Sequence, residues 1–193
     1  MRSGHGEDSG ELSFSSMDAT SLLTWVRGEA IDALGSDVNR WLRLIDVASA
    51  NAMRSRSPDS RNNFREAALM ALGQAQRLGV LSPFESVRRN LSLRARYMRQ
   101  GNFDESWLRQ EASSIFELLT DSIPIEFAAA SRLVERRRSR ESWIATDPEA
   151  RDSLDQLVEL LKPVSHILYY LEPRDRATIE PWMNLMSKYM DKK

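Results

Sequence analysis

Apolar residues recur along most of this chain at intervals of three and four, the period of a helix buried on one side. From Asp18, a plausible N-cap, Leu22, Leu23, Val26 and Ala30 lead to Leu34, and Gly35 follows as a stop. A second helix is predicted from Ser36 or Asp37, with Trp41, Leu42, Ile45, Ala48 and Ala52 on one face. The stretch Arg54 to Asn63 interrupts the pattern with Pro58 and small polar residues, and reads as a loop. The third helix, from about Ser60 to Leu78, carries Phe64, Ala67, Ala68, Ala71, Leu72 and Ala75 and stops at Gly79. Its small residues let a neighbouring axis approach closely.

Ser82-Pro83 is an N-cap followed by proline at the first helical position, where its missing N–H costs nothing. It opens a fourth helix ending near Gln100 and Gly101, and Asp104 caps a fifth. A sixth is predicted around Phe127, Ala130, Leu133 and Val134, after Pro124. Asp147-Pro148 starts another, with Leu154, Leu157, Val158 and Leu161 on one face, and Pro163 kinks it. The apolar run Ile167 to Leu171 follows, read as buried helix from its surroundings. The last helix, from about Thr178 to Met190, has Pro181 in its first turn. Alternating segments are few and Asn-Gly and Asp-Gly hairpin turns are absent. The expected fold is all-α, an irregular bundle of about seven to nine helices with no sheet. Residues 1–16 lack apolar periodicity and read as a flexible tail, and 17–193 as one helical domain with a soft boundary at 54–62.

One segment carries a family likeness. Tyr97, Gly101, Phe103, Asp104, Glu105 and Ser106, preceded by Leu93, resemble the centre of a tetratricopeptide repeat. Arg94 stands where that family has a small residue, and Gln110 and Ser113 replace its later aromatic and Ala. No copy is visible one repeat length to either side.

Composition then narrows the chemistry. The 193 residues include no Cys, which removes disulfides, thiolate metal sites and cysteine nucleophiles. Only His5 and His166 could supply imidazole, and His166 has no acid at helical spacing to orient it. Asp152, Asp155 and Glu159 form a row that reads as a solvated face. Gly-rich phosphate loops, nucleophile elbows and paired Glu-x-x-His motifs are all missing. These gaps predict no catalytic residue, no metal and no cofactor. No apolar run is long enough for a bilayer, and the polar start does not resemble a secretory signal, so a cytoplasmic location is expected.

The net charge of −1 conceals 23 Arg against four Lys. Arg88, Arg89, Arg96 and Arg99 share one arc of the fourth helix, and Arg132, Arg136 and Arg140 repeat at i, i+4, i+8 in the sixth. Such rows suit an acidic partner or a phosphate backbone. Trp182, Met183, Met186, Tyr189 and Met190 form a soft stripe suited to docking a partner helix. The leading expectation is a non-enzymatic helical subunit or adaptor that presents these faces to another protein. The alternative is a helical subunit of a ribonucleoprotein complex that holds nucleic-acid backbone without sequence readout.

Overall fold

The structure, a computed structural model, describes residues 14–99, 101, 103–122 and 148–190. Among them it is all-α, with eight α-helices, three single 3-10 turns and no strand. No helix among the described residues is long and apolar enough to cross a membrane. The helices fall into two compact units that divide after Val80. Residues 1–13 of the predicted tail and the predicted sixth helix lie outside the described residues. The end of that tail is corrected, because Phe14–Ser16 form a 3-10 turn and the Phe14 ring is buried against Trp25.

The first unit holds α1 (Ala19–Gly28), α2 (Ala30–Leu34), α3 (Val38–Arg54) and α4 (Pro58–Arg77). Asp18 and Asp37 cap α1 and α3 through carboxylate oxygens that accept two backbone N–H bonds each. The single helix expected from Asp18 to Leu34 is in fact two, broken at Glu29. Gly28 is a weak helix former there. Across the interior, the buried Gln74 of α4 donates to the Val26 carbonyl at 2.9 Å and satisfies one of α1's terminal acceptors.

The loop expected over Arg54 to Asn63 is also corrected. Ser57 is an N-cap, Pro58 is the first helical residue, and only Ser55–Ser57 link α3 to α4. Two long helices joined by three residues and packed along their lengths form an antiparallel pair. Ala48 and Ala52 on α3, and Ala67, Ala68, Ala71 and Ala75 on α4, are buried in this unit. Trp41, wholly buried, keeps its indole N–H bonded to the Gly35 carbonyl at 2.9 Å. α4 ends in a Schellman motif: Gly79, at φ +68°, donates to Gln76 while Val80 donates to Ala75.

The second unit is built on a helix–turn–helix, α5 (Pro83–Arg99) and α6 (Glu105–Ser122), followed by α7 (Pro148–Leu161) and α8 (Pro173–Met190). The expected signals start both helices of the pair: the Glu85 N–H donates to Ser82 Oγ, and the Trp107 N–H to Asp104 Oδ1. Val87, Leu91, Ala95 and Met98 of α5 pack into one core with Ile115, Leu119, Leu157, Leu161 and residues of α8. The Pro163 kink is realised as a 3-10 turn, Lys162–Val164, and a second such turn covers Leu168–Tyr170. The run Ile167 to Leu171 is therefore not a buried α-helix. Its apolar residues split, with Ile167, Leu168 and Leu171 inside and Tyr169 73% exposed. α8 begins five residues before Thr178, so Pro181 sits in its interior and not its first turn. The Ala177 carbonyl consequently loses its usual donor, on a side that faces solvent.

Candidate anion-binding face

α5 places Arg88, Arg89, Arg96 and Arg99 on the side away from the core, and the structure separates these four into two kinds. Arg88 donates from Nε and Nη2 to the two carboxylate oxygens of Glu85, both at 2.8 Å. Its Nε also lies 3.8 Å from Glu159 of α7. Arg89 donates to the same Glu85 at 2.6 Å. These bonds, led by the one from Arg88, hold the Glu85 carboxyl below the usual glutamate range, and Glu85 raises Arg88 in turn. One carboxylate in the first turn thus engages two of the four guanidinia. Arg96 and Arg99 are exposed, and neither has an acidic partner among the described residues. They lie in the last turn of α5, where the helix dipole favours cations and makes the site inexpensive to hold.

A fifth arginine of the same helix, marked in the sequence only as a departure from the repeat pattern, has a different role. Arg94 points inward, bonds Asn90 at 2.8 Å, and pairs with Glu111 of α6 at 2.9 Å. Both are largely buried, with side chains 17% and 8% exposed. The signal was present in Glu111, which shares the face of α6 that carries Leu108 and Ile115. A carboxylate on an apolar stripe calls for a buried cation.

The acidic row of α7 is not simply solvated. Asp155 accepts a bond from Tyr189 at 2.9 Å, and Glu159 faces Arg88. On α6, Arg109 bonds both Glu105 and Glu172, tying that helix to the residue before α8. The C-terminal stripe is also corrected. Met186 and Tyr189 are buried, and Trp182 and Met183 pack against the same core, so this face closes the second unit. Only Met190 of the five is exposed. Arg132, Arg136 and Arg140 lie outside the described residues. His166 is exposed beside Arg99; partial desolvation, and then that guanidinium, keep its imidazole below the usual pKa.

The segment that resembles a tetratricopeptide repeat forms the α5–α6 corner. Tyr97, Phe103 and Trp107 cluster there, with Phe103 stacked on Trp107 at 4.0 Å between ring centroids. A Cβ on Gly101 would run into the Phe103 ring, which explains glycine at that position. Tyr97 is buried, so α5 offers no exposed ring among its arginines for a base to stack on. No protein-family model matches this chain, and no curated protein or solved structure matches it.

Proposed function

We propose that this chain is a non-enzymatic helical subunit of a larger cytoplasmic assembly, and that it engages an acidic protein partner through Arg96 and Arg99. The observation that carries this reading is the division of charge along α5. Glu85 engages Arg88 and Arg89, whereas Arg96 and Arg99 keep exposed guanidinia with no acidic partner among the described residues. Two guanidinia one turn apart suit a pair of carboxylates, because the planar fork binds a carboxylate through two parallel bonds. They are a short track for a phosphate backbone, whose binding grows with the number of phosphates neutralised. The balanced net charge of −1 points the same way.

The test is binding of a labelled oligoglutamate peptide and of labelled single-stranded RNA and DNA to the full chain, at low and physiological salt. The double variant R96E/R99E is expected to weaken the peptide about tenfold, while R88E has little effect. Nucleic acid bound more tightly than peptide, with a steep salt slope lost in R96E/R99E, would transfer the face to the nucleic-acid reading.

A further inference from the structure

The α5–α6 corner and the turn that follows α7 enclose a groove of about 480 Å³. Its apolar lining includes Met98, Phe103, Leu108 and Tyr170, while Arg99 brings a guanidinium and His166 an imidazole. Among the described residues no Asp or Glu lines it. The volume lies within the range of ligand-binding clefts, and is large enough for one aromatic side chain with the backbone on either side.

Part of the groove's wall is aromatic, and a flat ring can pack against it. Phe103 is held in place by its stack on Trp107 and by Gly101, whose lack of a Cβ leaves the ring room. Phe103, Leu108 and Tyr170 are only partly buried, so each keeps surface that an incoming group could cover. A thioether beside aromatic rings adds polarisable contact. Arg99 is exposed, belongs to the same lining, and has no acidic partner among the described residues. The apolar wall and the unmatched guanidinium therefore call for an apolar group and a carboxylate close together in one ligand.

We propose that this groove receives an aromatic side chain from an acidic segment of the partner protein, with a neighbouring carboxylate on that segment paired to Arg99. The inference rests on the reading of Arg96 and Arg99 as a protein-binding face, and adds to it a pocket and a required residue type. His166 flanks the entering segment and adds hydrogen-bond donation to it.

The test uses fluorescein-labelled peptides containing Asp-Asp-Trp-Asp-Asp, the same peptide with Ala for Trp, and the same with Asn for every Asp, titrated into the full chain. The Trp peptide is expected to bind about tenfold more tightly than the Ala peptide, and the Asn peptide about tenfold more weakly than the Trp peptide. Arg99→Ala weakens the Trp peptide about fivefold, and Arg88→Ala leaves it unchanged. His166→Trp, which fills the groove from an exposed position, abolishes the preference for Trp over Ala; circular dichroism confirms that the variants remain folded. Equal binding of the Trp and Ala peptides, both weakened by Arg99→Ala, overturns the groove and leaves the charged face intact. Binding of neither peptide overturns both.

Discussion

Arg94 and Glu111 illustrate how much one buried pair can decide. Taking two charges out of water costs several kcal/mol, recovered here by a 2.9 Å ion pair and the bond from Arg94 to Asn90. Removing one partner leaves the other charge stranded in the interior. Glu111→Ala is therefore expected to destabilise the protein by about 3 kcal/mol in urea unfolding. Replacing both together, as R94M/E111L, is expected to recover most of that loss, because no unpaired charge remains. A double variant as unstable as Glu111→Ala would show that the pair contributes by shape and not by charge. Arg88 and Arg89 differ from Arg94 in being only half-buried, and their shared Glu85 competes with water for them.

Among the elements, the termini show the closest agreement between local chemistry and structure. Asp18, Asp37, Ser82 and Asp104 each accept a backbone N–H at a helix start, as their positions before apolar periodic runs lead one to expect. At the other end of α4, Gly79 takes the left-handed conformation that closes the Schellman motif. A side chain there meets no neighbour, so the cost of adding one is purely conformational. Gly79→Ala is expected to lower stability by about 1 kcal/mol, measured by thermal or denaturant unfolding. An unchanged midpoint would mean that the turn relaxes into another geometry. Proline accounts for two of the differences between the expected and the observed elements. Ser57-Pro58 opens a helix in the same way as Ser82-Pro83, yet its polar neighbours resemble a loop. Pro181 resembles a first-turn proline until the earlier start of α8 places it mid-helix.

For the whole molecule, charge is the property that bears most on partners. A surplus of Arg over Lys attracts attention in the sequence, but 28 acidic residues balance the 27 basic ones. Arg27, Arg88, Arg89, Arg94 and Arg109 already have carboxylate partners in the fold. The protein is therefore expected to leave heparin at or below physiological ionic strength, since its acidic residues offset its basic ones over the whole chain. Retention well above that salt, measured on a calibrated column, would contradict an acidic protein as the preferred partner. The two compact units also have separate interiors, and the candidate face and groove belong wholly to the second.

The helical class, most helix starts, and the absence of thiol chemistry were all legible in the order of residues. Periodicity, capping and composition act within a few positions of one another, so they survive without knowledge of the fold. The inward turn of Arg94, the contact of Arg88 with Glu159, and the burial of Met186 and Tyr189 could be decided only by tertiary packing. Each depends on a group far away in the chain: Glu111 and Glu159 for the first two, and the core of the second unit for the last. An arginine's spacing on a helix shows which way it leaves the axis. Whether a carboxylate awaits it there is set by what the rest of the chain brings alongside.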